Sequence, residues 1–196
     1  MPDVFDSWMR ILGRVNNSVL WLFEDNASVV INLNKEAAAR GINPTRIIFA
    51  QRMTPSEHLA RHRLADLFLD TLPYNAHTTA SDSLWAGVPV LTRIGETFAG
   101  RVAASILKAV GLPELVVETS QAYEDLAIEL ATNREKLSGL RKKLADNLST
   151  TPLFDTRRYT RNIESAYAEM HRRTQAGLAP EAIDLYTSIF SGARPI

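Results

Sequence analysis

The chain has 196 residues, enough to bury a sizeable core, and its 45% hydrophobic and 22% charged composition is that of a soluble globular protein. Lys and Arg balance Asp and Glu at 22 each, which gives no bias toward a nucleic-acid duplex or an anionic membrane. The absence of cysteine excludes a disulfide framework and a thiolate metal site; there is also no long apolar run and no basic-then-apolar leader, so the expectation is a cytoplasmic protein.

Apolar runs and helical patterns alternate along the sequence. Residues 3–15 place Val4, Trp8, Ile11, Leu12 and Val15 on one helical face. Asn16-Asn17 turns into SVLWLFE, a run suited to a strand covered on both faces. A helix follows over 27–41, stopped at Gly41, and then the strand RIIFAQ over 46–51. Thr54-Pro55-Ser56-Glu57 is a capping box with proline at the first helical position, opening a helix over 54–65. Next come the strand LFLDT (67–71), a short helix over 79–87 ended by Gly87, the strand VPVLTR (88–93), a helix over 97–111 and the strand ELVVET (114–119). Five strands separated by helices predict an α/β fold with a doubly wound parallel sheet, whose ligands bind at the carboxyl edge of the strands. Beyond it, residues 121–148 carry a one-sided leucine stripe with a break near Thr132-Asn133, and 155–176 form a further charged helix. The expected division is a lobe with trailing helices over 1–176 and a weakly patterned, partly disordered tail over 177–196.

Two clusters fall at the ligand edge. His58 and Arg61 lie three apart, near the positive end of the helix that Thr54 opens. His77-Thr78-Thr79 stands where a helix starts after the third strand, a place whose free N–H groups and partial positive charge suit phosphate oxygens. Asp82, one turn on, is able to accept from a sugar hydroxyl. A ligand-free helix also favours Thr at its cap and Asp in its first turn, so these residues alone leave both readings open. Two other patterns fail. Gly95 to Val102 has the glycine spacing of a phosphate-binding loop, but Arg101 and Val102 stand where lysine and a hydroxyl are required. His58 and His62 have the spacing of a zinc helix without its glutamate or a further ligand, so no metal is expected.

The stretch HTTASDSLWAGVPVLTRIGETFAGRVAAS, with RIIFAQRMTPSEHLARHRLADLFLDTLPYNA before it, resembles the C-terminal catalytic lobe of the O-linked N-acetylglucosamine (O-GlcNAc) transferases. SVLWL, YEDLA and STTPLFDTRRYT extend the resemblance over most of the chain. Those enzymes move N-acetylglucosamine from UDP-GlcNAc to Ser and Thr of proteins, on two Rossmann-like lobes in the GT-B arrangement. The resemblance implies that His58 packs by the uracil and ribose, that Arg61 reaches the base and that Met53 offers its backbone to uracil. It further implies that His77, Thr78 and Thr79 hold the diphosphate and stabilise it as it leaves, and that Asp82 binds the ribose hydroxyls. The implied transfer is inverting and needs no metal or other cofactor; UDP-GlcNAc is the donor, and acceptor proteins are engaged through regions outside this chain.

Departures from the pattern qualify this. Pro55 stands where some members have a ribose-contacting lysine. The aromatic- and lysine-containing segment that precedes the first helix in the family is not in the sequence, nor are the N-terminal lobe and the tetratricopeptide array. The expectation is one lobe of a longer gene product, inactive alone. The same lobe in a transferase using UDP-glucose or GDP-fucose, and a non-catalytic nucleotide-binding or interaction module, are the competing readings.

Overall fold

The computed structural model describes residues 1–185, so the part of the tail over 186–196 lies outside the described residues. The chain divides into two compact units, one through Leu148 and one from Ser149. In the first, the elements run α1 (Pro2–Arg14), β1 (Leu20–Phe23), α2 (Ala27–Ala39), β2 (Ile47–Ala50), α3 (Pro55–His62), β3 (Phe68–Leu69), α4 (Thr78–Trp85), β4 (Val90–Arg93), α5 (Val102–Ala109), β5 (Val116–Val117), α6 (Ser120–Thr132) and α7 (Arg134–Asn147). In the second, α8 spans Thr156–Gln175, started by Asp155, which accepts from the Arg158 amide at 2.9 Å. After α8, Arg173 holds the following segment through Glu181 and the Ala179 carbonyl.

Every strand pairing is parallel, and strands alternate with helices as the pattern predicts. The hydrogen-bonded ladder, however, falls into two parts: β1 with β2, and β3 with β4 with β5. β3 and β5 are two residues each, shorter than the apolar runs that contain them. α5 starts at Val102 rather than at residue 97, because Thr97 to Gly100 fold into a turn in which Thr97 Oγ1 accepts from the Gly100 amide at 3.1 Å. The break expected near residue 133 is Asn133 itself. It ends α6, and its side chain caps α7 by accepting from the Lys136 amide at 3.0 Å.

α1 is buried more widely than the single predicted stripe. Phe5, Met9 and Leu12 join Leu20, Ala37, Ile42 and Ile47, whereas Ile11 and Val15 join Leu91, Tyr123 and Ala127. The helix thus serves the cores of both strand sets. Its outer side is fixed to α6 by buried Glu124, which accepts from Ser7 Oγ at 2.6 Å and from Arg10 Nη2 and Nε at 2.6 and 2.9 Å. The forked guanidinium, with Ser7, holds the Glu124 carboxyl below its ordinary range.

At the carboxyl end of β3 the side chain of Asp70 is buried. Its carboxylate accepts from the Ala76 amide and from Thr92 Oγ1 of β4, both at 2.6 Å, and its carbonyl accepts from Tyr123 Oη of α6 at 2.9 Å. Burial pushes the Asp70 carboxyl up, and the bonds from Thr92 and Ala76 partly oppose it. A raised acid pKa means that the folded state holds the proton more tightly than the unfolded one. The contribution of Asp70 to stability is therefore greatest below its ordinary value of 3.8 and falls as pH rises through the folded value. Replacing Asp70 by Ala strands two buried donors and is expected to cost about 2 kcal/mol or more in denaturant unfolding at neutral pH. Asp70→Asn, which does not ionise, is expected to abolish this part of the pH dependence; an unchanged profile between acid and neutral pH would contradict the assignment.

Candidate functional site

The sequence places imidazoles at the start of two helices, and the fold brings both starts to the carboxyl edge of the strands. α3 opens with the predicted capping box. Glu57 Oε2 accepts from the Thr54 amide at 3.1 Å, and Thr54 Oγ1 faces the Glu57 amide at 3.5 Å. The bonds from Thr54 hold the Glu57 carboxyl below its ordinary value. With the helix start fixed, His58 and Arg61 face one another, Arg61 Nη2 lying 2.8 Å from His58 Nδ1. Arg61 also donates to the Gln51 carbonyl at 2.7 Å and sits 5.8 Å from the ring centre of Trp21 in β1. It thereby pins the loop 51–54 against the strand edge, a positioning duty that the sequence reading did not give it. Met53 stands in that loop, half exposed.

The second helix start is built differently. α2, α3, α6, α7 and α8 are each capped by a side chain, from Asn26, Thr54, Thr119, Asn133 and Asp155. α1, α4 and α5 are not; at α4, His77 occupies the cap position without bonding to it, and the amides of Thr78 and Thr79 have no acceptor among the described residues. The His77 ring instead stacks on Tyr74, with centroids 4.6 Å apart, and meets Phe98 edge-on at 6.3 Å. Its Nε2 is buried and has no hydrogen-bond partner among the described residues. Thr78 and Thr79 are exposed, and Asp82 follows on the next turn, half-buried. Asp82 is close enough to His58 for its charge to act on that imidazole, so α3 and α4 present these groups to a common region.

The residues that hold this second start escaped the sequence reading. Asp70 fixes the Ala76 amide; Asn75, buried, donates from Nδ2 to the Thr71 carbonyl at 3.0 Å and from its amide to the Ala99 carbonyl at 2.9 Å. The glycine-spaced segment that fails as a phosphate loop is thus the brace behind His77. A Cβ on Gly95 would come within 3.0 Å of Leu72, and one on Gly100 within 3.2 Å, so both glycines serve close packing, as their spacing without a lysine suggests. An aspartate ending the apolar run LFLD was the one signal in the sequence that could have singled out Asp70.

Arginine only donates, so His58 Nδ1 accepts from Arg61 and the ring carries its proton on Nε2. Burial, then His62 and Arg61, lower the His58 pKa, and Asp82 partly offsets them. His62 Nδ1 lies 2.7 Å from the His58 carbonyl and donates to it. His58 is therefore a neutral donor at pH 7, with its N–H on the side away from Arg61. Nitrogen-detected NMR is expected to show the Nε2–H tautomer and an apparent His58 pKa below 6.5. Arg61→Ala is expected to scramble the tautomer; a His58 that titrates above 6.5 would overturn this arrangement.

Comparison with known proteins bears on the whole of this lobe. The model of glycosyl transferase family 41 matches residues 1–163. A probable UDP-N-acetylglucosamine–peptide N-acetylglucosaminyltransferase (SEC) of Arabidopsis thaliana is 42% identical over 92% of this chain, and a UDP-N-acetylglucosamine–peptide N-acetylglucosaminyltransferase of Caenorhabditis elegans is 37% identical over 90%. The chain spans only 18% and 15% of their lengths. The structure of a K341M variant of Thermobaculum terrenum O-GlcNAc transferase superposes with a TM-score of 0.81 at 34% identity, over 86% of this chain and 33% of that one. The alternation of strands and helices, the parallel ladders and these matches together show that the chain belongs to glycosyl transferase family 41 and has the α/β fold of a GT-B lobe.

Proposed function

We propose that this chain is the nucleotide-sugar-binding lobe of a longer protein O-GlcNAc transferase, which moves N-acetylglucosamine from UDP-GlcNAc to Ser or Thr hydroxyls of proteins. The observation that carries the reading is the uncapped start of α4: two free amides, two exposed hydroxyls and an unspent imidazole nitrogen, in a lobe whose other helix starts are mostly closed by their own side chains. In this reading the diphosphate occupies the vacant cap of α4, held by Thr78, Thr79 and His77. Asp82 accepts from the ribose hydroxyls. His58, as a neutral Nε2–H donor, and the backbone at Met53 face ribose and uracil, and Arg61 keeps their loop in place.

The chemistry follows from charge. As the acceptor hydroxyl attacks the anomeric carbon, the bond to the β-phosphate oxygen breaks and negative charge builds on the departing UDP. Amides fixed at a helix N-terminus and hydroxyls already aimed at that oxygen stabilise the charge without reorganising during the step. We assign leaving-group stabilisation to these groups, with no metal taking part. Regions outside this chain supply the acceptor site and a tetratricopeptide array, and the cytoplasm is the compartment that fits a cysteine-free chain. Positioning of the acceptor is worth several kcal/mol in such transfers. None of the described helices is long and apolar enough to cross a membrane.

Calorimetric titration of the 196-residue chain tests the reading. UDP is expected to bind weakly and in preference to GDP. Asp82→Ala and His77→Ala are each expected to weaken UDP about tenfold or more, as loss of a hydrogen bond to a charged or sugar group does, with the unfolding midpoint little changed. Equal affinity for GDP, or binding unaffected by both substitutions, would refute the site. Incubated with UDP-GlcNAc and an acceptor peptide, the chain alone is expected to give no transfer above background; measurable glycosylation would show that the assignment of acceptor positioning to other regions is wrong.

A further inference from the structure

The two histidines of α3 that fail as a catalytic zinc helix meet a narrower requirement. Residues one turn apart share a helix face, and the His58 and His62 ring centres lie 4.5 Å apart with their planes at 87°. Each ring spends one nitrogen inside the protein. His62 Nδ1 donates to the His58 carbonyl at 2.7 Å, and His58 Nδ1 accepts from Arg61 Nη2 at 2.8 Å. The Nε2 atoms of both rings have no hydrogen-bond partner among the described residues, and neither is buried, as His77 Nε2 is. Two imidazole nitrogens are thus left open to solvent on one face of a helix whose start is fixed by its capping box.

An imidazole whose Nδ1–H is held by a carbonyl is a prepared ligand, because the hydrogen bond fixes the tautomer and leaves a lone pair on Nε2. His62 is in that state without further change. His58 reaches it when its proton moves from Nε2 to Nδ1, which breaks the bond from Arg61. Arg61 keeps its bond to the Gln51 carbonyl, so the loop 51–54 stays in place. The spacing suits a shared cation. With metal–nitrogen bonds of about 2.1 Å, two rings on one ion have centres about 5 Å apart. The rings of His58 and His62 therefore have to turn but not to separate. Asp82 favours a cation here, its charge being felt at His58, whereas the Arg61 guanidinium opposes one. Among the described residues no group of three or more His, Cys, Asp or Glu side chains is placed to hold a metal ion. Two imidazoles, with water completing the shell, make an exchangeable site and not a resident catalytic centre. Imidazole donors select zinc, nickel or copper over magnesium.

We propose that His58 and His62 form a chelating pair for a divalent cation of the zinc type, and that the bound ion excludes the nucleotide by taking Nε2 of His58. The exclusion rests on the proposed function, in which that atom is the N–H donor toward ribose and uracil. The ion is then a reversible brake on the site and takes no part in the transfer. Binding free energies are reciprocal, so UDP weakens zinc by the factor by which zinc weakens UDP.

The test is titration of the full 196-residue chain with zinc at neutral pH, followed by nitrogen-detected NMR and by calorimetry. The ring signals of His58 and His62 are expected to move together, with His58 passing to the Nδ1–H tautomer, while His77 and His171 stay where they were. His62→Ala is expected to weaken zinc about tenfold or more and to leave UDP binding in the absence of metal unchanged. Saturating zinc is expected to weaken UDP about tenfold in the unaltered chain, an effect removed by EDTA and missing from His62→Ala. Magnesium, which prefers oxygen ligands, is expected to have no such effect. The proposal is overturned if zinc moves neither ring, if it binds His62→Ala equally well, or if it leaves UDP affinity unchanged or raises it. A chain that binds no UDP at all would refute the nucleotide reading and the exclusion with it, whereas the ring signals decide the chelating pair by themselves.

Discussion

A single buried carboxylate determines where the candidate site can be. Asp70 ends β3 and binds the Ala76 amide, the Thr92 hydroxyl and, through its carbonyl, the Tyr123 hydroxyl. These bonds join a strand, its neighbour, the following loop and α6 at one point. The path of residues 71–77 is set there, and with it the position of the His77 ring and the direction of the first turn of α4. Burying the ionised form is unfavourable, as the raised pKa shows, and the hydrogen bonds are what make it tolerable. The loop from Gly95 to Gly100 then braces the same segment from the other side through Asn75 and Leu72. The supports of the site are held by buried hydrogen bonds, whereas the amides of Thr78 and Thr79 at the start of α4 have no acceptor among the described residues.

The two helix starts divide the work by their caps. At α3, Thr54 and Glu57 close the helix end, and the groups available to a ligand are the side chains that the fixed start aims: His58 directly, with Arg61 holding its tautomer. At α4 the end is open, and in the proposed function its backbone is the recognition element. One start therefore suits a neutral, hydrogen-bonding heterocycle and sugar, and the other suits an anion. Asp82 of α4 links the two through its charge, which acts on His58.

α1 has a comparable place in the framework. Its residues serve both strand sets, and Arg10 and Ser7 lock it to α6 through Glu124, so it fixes how far apart β1 and β3 stand. This is why a ladder that is interrupted between those strands still has a defined geometry on either side of the interruption.

Much of this was legible in the residues. Local rules fixed the helix starts at Thr54 and near His77, the stops at Gly41 and Gly87, the break at Asn133, and the alternation that makes a parallel α/β fold, because caps, turns and periodicity act over a few residues. The long match around HTTASDSLWAG named the family. The sequence could not show that LFLDT contributes only two residues of ladder, that residues 97–101 turn rather than wind, or that the ladder divides in two, since pairing depends on which backbone edges meet. Nor could it show that Asp70 and Asn75, unremarkable in a linear reading, anchor the candidate site, or that Arg61 bonds to the Gln51 carbonyl and to His58. Those roles arise from contacts between residues distant in sequence, and burial, which decides whether a carboxylate is a surface charge or an anchor, exists only once the chain has packed.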